Sequence, residues 1–372
     1  MTVPTLSRFV IAFALSIFWL LGNNLLFAQT DGSDPANVVV AIQGRLSLKR
    51  YGWTNYVPIA FGTWLQEGDL LDLGESSSAK VVCSDLSLHD VRMGIGAIPC
   101  SPSRPVLRRQ DGSLIHATRD WPDDGAPIVL SPRKTRLLSP YPTLRWTEVK
   151  GAHTYHVYIR GLKFGLAGAD TTATSFDYSA KDPTLEPGVD YKLIVAADGQ
   201  APSDEPGPDL GFSIVEPMEK ALILQEEHQV ESLKLPDGPT QFLVAYLYST
   251  HRLYAEAIDR LEMVFPTFNV AAGKRLQADL YMKIGLPRQA ESDYLVSLDL
   301  SRIENDKEGQ MLDHKALSYV YELIGNRKAS SQQLLETLDL ARSLGDDFTA
   351  RQAETRLAEI KAAAVRHTAS KP

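Results

Sequence analysis

A spacing that occurs three times near the C-terminus constrains the fold of this chain more than any other feature. In each frame a small residue precedes a tyrosine by three positions, and a second small residue and then a large residue follow, nine and thirteen positions after the tyrosine. The frames consist of Ala245, Tyr248, Ala257 and Leu261; of Ala278, Tyr281, Ala290 and Tyr294; and of Ser318, Tyr321, Ser330 and Leu334. The step from the second frame to the third is somewhat longer than the step from the first to the second. Because apolar residues recur here at helical spacing, the frames predict paired helices that approach closely at their small residues.

The pattern resembles the tetratricopeptide repeat, whose period is about 34 residues. Gly285 and Gly325 lie four residues after their tyrosines, where a first helix would end and where glycine is favoured. The first frame departs from the family by having Arg252 at that place, and the third has serines as its small residues. The resemblance implies an α-solenoid over residues 216–366, with a leading helix near Met218 and a capping helix around residues 350–364. The tail 367–372 is predicted to be disordered.

In the tetratricopeptide family, the first helix of each repeat lines a groove that holds a peptide or a partner helix. By this resemblance, the residues one position after and three positions before each small residue would face the groove. They are Phe242, Tyr246, Arg275, Asp279, Lys315 and Tyr319. The alternative is that these side chains cover the array's own surface or contact the β-rich modules.

Residues 36–102 are predicted to form short β-strands. Residues 45–49 alternate polar and apolar, which is the period of a half-buried strand, and Gly68-Asp69 marks a turn. The order of Gly44, Leu46, Leu48, Gly62, Leu65, Gly68-Asp69 and then residues 78–81 resembles the FecR-type β module of bacterial envelope proteins. The resemblance implies a structural or sensing module without catalytic residues.

A second β segment is predicted over residues 128–215, after a linker at 103–127 that is rich in Pro, Arg, Asp and Gly. Residues 155–159 alternate tightly, and Trp146 precedes them. This pattern resembles a fibronectin type III or immunoglobulin-like sandwich, in which Trp146 would fill the core and Leu185 and Tyr191 would build a corner. The predicted fold class is therefore multidomain β + α.

The N-terminal segment 1–28 is predicted to direct export. Arg8 precedes an apolar run, and Ala28 precedes a polar stretch, as in a secretory signal peptide. An uncleaved N-terminal anchor is the alternative, because Phe9 to Ala28 is about one bilayer span in length. In an oxidising compartment, Cys83 and Cys100 are candidates for a disulfide, with two buried thiols as the alternative.

Charge and motifs argue against nucleic-acid binding and catalysis. The net charge is −8 and no basic stripe is present, whereas contacts to a phosphate backbone need clustered Lys and Arg. The sequence contains no G-x-S-x-G, H-E-x-x-H or P-loop motif. We therefore expect no enzyme activity, no catalytic residues, no cofactor and no metal site. A membrane would be a partner only if the N-terminal segment stays uncleaved.

The function that these patterns favour is binding. The main hypothesis is an exported scaffold or adaptor in the periplasm, in the cell envelope or outside the cell, which grips a protein partner with the helical array while the β modules space or attach it. One alternative is an envelope signal-sensing protein of the FecR type. Another is a carbohydrate-binding accessory protein, for which Trp53, Trp64 and Trp121 are the candidate aromatic residues outside the sandwich core.

Overall fold

The fold consists of two β-rich units followed by a helical array. The computed structural model describes residues 35–101, 105–108, 125–161, 168–200, 202–203 and 210–369, with side chains up to residue 363. The prediction of a β-rich half before a helical half is confirmed, whereas the family of each unit stays a prediction. The predicted signal segment 1–28 lies outside the described residues.

The first β unit comprises two four-stranded sheets with the orders β4-β1-β6-β7 and β3-β2-β5-β8. Its core lies between the sheets and holds Val39, Leu48, Leu71 and Val81. The strands are β1 (Asn37–Gln43), β2 (Leu46–Lys49), β3 (Val57–Pro58), β4 (Trp64–Leu65), β5 (Leu70–Leu73), β6 (Ser78–Val82), β7 (Leu88–Asp90) and β8 (Gly94–Ala97).

The second β unit also has two sheets, with the orders β10-β16-β15-β12-β13 and β14-β11-β9. Trp146 lies in its core, as does Tyr191, whose hydroxyl accepts the backbone N–H of Glu186 over 2.8 Å. The strands are β9 (Val129–Ser131), β10 (Thr135–Leu137), β11 (Thr143–Trp146), β12 (Tyr155–Gly161), β13 (Ala169–Thr171), β14 (Ser175–Asp177), β15 (Asp190–Ala197) and β16 (Phe212–Ile214).

Part of the predicted linker 103–127 is packed into the protein. Leu107 is fully buried, its carbonyl accepts the N–H of Ala36, and its own N–H donates to Ser84 O over 2.8 Å. Residues 105–108 are therefore held against the first β unit and do not form a free connection. The segment 109–124 lies outside the described residues.

Eight helices within the described residues form the array. Three helical hairpins, α2/α3, α4/α5 and α6/α7, follow a single leading helix and precede a final one. The helices are α1 (Pro217–Ser232), α2 (Asp237–Thr250), α3 (Tyr254–Val264), α4 (Ala271–Lys283), α5 (Pro287–Ile303), α6 (Lys307–Leu323), α7 (Arg327–Leu344) and α8 (Asp347–Ala369).

The spacing read from the sequence corresponds to contacts between helices. The small residues of the three frames are buried, including Ala245, Ala278 and Ser318 on the first helix of each hairpin. The segment 330–343 of α7 repeats the order of buried and exposed positions found at 290–303 of α5. Gly285 and Gly325 adopt left-handed backbone conformations, with φ values of +77° and +80°, just after α4 and α6.

The two ends of the array differ. The final helix α8 buries Ala350, Ala353 and Leu357 on one face and is otherwise mostly polar and exposed, as expected of a capping helix. It continues to Ala369, three residues into the segment 367–372 for which the sequence predicts a disordered tail. No described helix is both long enough and apolar enough to cross a lipid bilayer.

Candidate protein-binding surface

The first β unit covers two of the predicted groove residues. Phe61 packs edge-on against Phe242, with 5.1 Å between ring centroids, and the Trp64 ring lies 4.2 Å from that of Tyr246. Phe242 and Tyr246 are consequently only 1% and 5% exposed. The prediction that they line an open groove is wrong, because these four residues form a docking interface between the first β unit and α2.

A glycine allows this close approach. Gly62 lies between the two aromatic residues of the β unit with a φ of +80°, and its N–H donates to Val39 O. A Cβ at this position would lie 2.2 Å from the Cβ of Ala272 on α4. Any larger residue would therefore be strained in its backbone and would also push the β unit away from the array.

The same β unit reaches the later hairpins of the array. Arg50 donates to Glu308 Oε1 at the start of α6 over 2.6 Å and to Asp69 Oδ2 of its own unit over 2.8 Å. Burial raises the pKa of Glu308, whereas the charge of Arg50 lowers it. Trp53 is buried with Leu344 and other residues of α7 and α8. One β unit thus contacts all three hairpins.

Arg275 belongs to a buried polar network between α4, α5 and α6. Its guanidinium donates to both carboxylate oxygens of Asp313, over 2.7 and 3.0 Å, and to Ser301 Oγ over 2.9 Å. Ser297 Oγ also donates to Asp313, which is fully buried. The prediction that Arg275 faces a groove is therefore wrong, because its side chain joins neighbouring helical hairpins.

The other three predicted groove residues reach the surface. Asp279 on α4 is exposed and accepts a hydrogen bond from Tyr294 Oη over 2.5 Å. On α6, Lys315 is exposed and donates to Gln352 Oε1 of α8 over 3.0 Å, while Tyr319 is partly exposed one turn later. The Arg275–Asp313 pair joins α4 and α6, so these side chains lie on adjacent first helices. They form what we call the open surface, consisting of Asp279, Lys315, Tyr319 and Gln352.

The second β unit packs on α1 and α3. Arg136 forms an ion pair with Glu219 of α1, and Arg145 pairs with Asp259 of α3, each over 2.5 Å. The N–H of Leu138 donates to Glu256 Oε1 over 2.7 Å, while Glu256 Oε2 is buried and has no partner among the described atoms. Burial raises the pKa of Glu256 from 4.5 to about 7, against the lowering effect of its backbone hydrogen bonds.

The raised pKa of Glu256 predicts that stability depends on pH. Between pH 4.5 and about 7 the unfolded chain has released the Glu256 proton and the folded chain still holds it, so the stabilisation present at acid pH is lost as pH rises through about 7. Glu256→Gln stays neutral and keeps the acceptor for Leu138. Over this pH range, we expect the free energy of unfolding of the variant to fall by about 3 kcal/mol less than that of the wild type.

The measurement is urea unfolding of both proteins across this pH range. Glu336→Gln, on the exposed face of α7, serves as the control and should follow the wild type. If Glu256→Gln and the wild type lost stability in parallel with rising pH, the assignment to Glu256 would be wrong.

The structure gives the candidate carbohydrate-binding residues other roles. Trp53 is 6% exposed and packs on α7 and α8, and Trp64 lies in the docking interface. Trp121 lies outside the described residues. The prediction that Trp53 and Trp64 are surface rings for a sugar is wrong.

Cys83 and Cys100 are joined by a disulfide, with 5.5 Å between their Cα atoms. No set of three or more His, Cys, Asp or Glu side chains within the described ranges is arranged to hold a metal ion.

Comparison with known proteins adds little. No family model matches the chain. No curated protein matches it either. Among solved structures, the crystal structure of the apo form of RapI is similar at a TM-score of 0.35 and 14% identity, over 41% of this chain and 60% of that one. The chain thus spans about 60% of that protein's length. A likeness at this level carries no functional assignment.

Proposed function

We propose that this chain is an exported, non-catalytic scaffold that binds a protein partner through the open surface of its helical array. The observation that carries the proposal is that Asp279 and Lys315 are exposed and Tyr319 is partly exposed on adjacent first helices of the array. In the tetratricopeptide family, which the array resembles, such positions contact the bound peptide.

The docking interface supports the same proposal in a different way. There the array binds two aromatic side chains of another module, Phe61 and Trp64, with Phe242 and Tyr246 at positions equivalent to Lys315 and Tyr319. The FecR-like and fibronectin-like units would then act as structural parts of the scaffold. Their contacts with α1, α2, α3 and α6 hold the array in one arrangement, which lowers the entropic cost of presenting a binding surface.

The test is site-specific photo-crosslinking in cells. A benzophenone amino acid placed at Tyr319 should give covalent adducts with a protein partner. The same probe at Leu335, an exposed position on the second helix of the same hairpin, should give none. Adducts from Leu335 and none from Tyr319 would assign binding to a different face of the array.

A matched pair of substitutions tests how much Tyr319 contributes to partner binding. Tyr319→Ala should weaken partner binding at least about fivefold, since aromatic residues at the centre of an interface commonly carry more than about 1 kcal/mol. Tyr141→Ala, which removes an exposed tyrosine of the second β unit, should leave binding unchanged. Circular dichroism of both variants distinguishes lost binding from lost folding.

A further inference from the structure

The Cys83–Cys100 disulfide joins a buried cysteine to a partly exposed one that packs against the same core. Cys83 directly follows β6 and is 2% exposed, within the core between the two sheets of the first β unit. Cys100 comes three residues after β8 and is only partly buried. The two cysteines therefore differ in their exposure to a reagent in solution.

A cleft of about 440 Å³ lies beside the bridge, and Cys100 forms part of its wall while Cys83 does not. The exposed Glu67 and Gly68 also line the cleft, so it opens to solvent, and Asn37 and Ser84 line its polar side. A space of this size is typical of sites that hold a small molecule. It is large enough for a thiol-bearing side chain or a small dithiol to approach Cys100.

The residue after Cys83 links the bridge to the docking interface. Ser84 O accepts the N–H groups of Val106 and Leu107 over 2.7 and 2.8 Å. Leu107 is fully buried in the core shared with α2, and the next carbonyl, Arg108 O, accepts a hydrogen bond from Tyr246 Oη over 2.8 Å. The segment 105–108 is thus held between the end of β6 and the array.

We propose that the Cys83–Cys100 bridge is a thiol–disulfide exchange site, attacked at Cys100 by a dithiol reductant, and that its opening loosens the segment 105–108 from α2. This inference does not depend on the proposed partner binding. It concerns the state of the docking interface, which the chain contains whether or not a partner is bound.

The exchange proceeds in two balanced steps. A thiolate of the reductant attacks Cys100 Sγ, a new S–S bond forms, and Cys83 Sγ leaves as a thiolate that takes up a proton. The second thiol of the reductant then displaces Cys100 Sγ, which is protonated in turn. The protein disulfide has gained two electrons and two protons, and the dithiol has become an intramolecular disulfide.

The first test measures reduction of the folded protein by dithiothreitol. If the disulfide is accessible in the folded protein, the rate of reduction should rise in proportion to the concentration of dithiothreitol. The rate should also stay constant at low urea concentrations. With glutathione, acid quenching and peptide mass spectrometry should find the mixed disulfide on Cys100 at least about tenfold more often than on Cys83. A rate that saturates with reductant and climbs with urea, or an adduct mainly on Cys83, would overturn the proposal.

The second test follows hydrogen exchange after brief reduction and alkylation of the folded protein. The amides of Val106 and Leu107 should exchange at least about tenfold faster, while those of α4 to α7 should keep their protection. The Cys83→Ala, Cys100→Ala double variant should show the same pattern, and the reduced wild type decides the question if that variant does not fold. Unchanged protection at Val106 and Leu107 would show that the bridge does not control the segment.

Discussion

Replacing Phe242 with alanine is expected to lower the free energy of unfolding by about 3–5 kcal/mol, the usual effect of deleting a buried aromatic ring. Phe242 is 1% exposed and contacts Phe61 and Trp64 across the docking interface, so the substitution leaves a cavity between two modules. Urea unfolding monitored by tryptophan fluorescence measures the change, since Trp64 lies against the altered site.

The control for this prediction is Phe348→Ala. Phe348 lies in the first turn of α8 and is 64% exposed, so its loss should change stability by no more than about 0.5 kcal/mol. A double-mutant cycle between Phe242→Ala and Phe61→Ala should show clear coupling, because the two rings are in contact. Additive effects would mean that the β unit is not docked on α2 in solution.

The second large effect is expected for Asp313→Ala. Asp313 is fully buried and accepts hydrogen bonds from Arg275, Ser297 and Ser301. Its removal leaves the Arg275 guanidinium buried without its counter-charge, and breaking such a pair costs about 3–5 kcal/mol. Chemical denaturation of the wild type and the variant measures the loss.

Two comparisons show whether the burial of the Arg275–Asp313 pair explains the loss of stability. Asp299→Ala breaks the exposed Arg302–Asp299 pair on α5 and should cost less than about 1 kcal/mol. Adding Arg275→Met to Asp313→Ala should recover part of the stability, because it removes the uncompensated charge. If the double variant were as unstable as the sum of the two single variants, the charge would not explain the loss.

The sequence predicts the array because its signal is local and repeated. A small residue, a tyrosine and a second small residue recur at fixed distances, and each must be buried wherever two helices approach. Ala278 and Ala290 are both fully buried for this reason. The strand at β2 is predictable from the alternation at residues 45–49, although Ser47, a polar member of that alternation, is buried as well.

The positions of the groove residues are less predictable, because they depend on contacts between distant parts of the chain. Phe61 and Trp64 are separated from their partners on α2 by the whole second β unit, and no periodic signal links the two segments. The one local clue is that two large aromatic residues, Phe61 and Trp64, lie close to a glycine, Gly62.

Arg275 illustrates a second limit of the sequence. The offset between successive frames is not constant, so repeat spacing does not show which residue of α6 lies opposite Arg275 on α4. Its partner is Asp313, which is 38 residues away. The same uncertainty left open whether Asp279, Lys315 and Tyr319 would be covered, and the structure exposes all three at least in part.

The contacts of the first β unit with all three hairpins have a mechanical consequence. In an isolated helical solenoid the repeats can unfold one after another from the ends, because each repeat touches only its neighbours. Here Trp64 contacts α2, Arg50 pairs with α6, and Trp53 packs on α7 and α8. When force is applied to the two ends of the array, the three hairpins should therefore unfold together in one step, and not one after another.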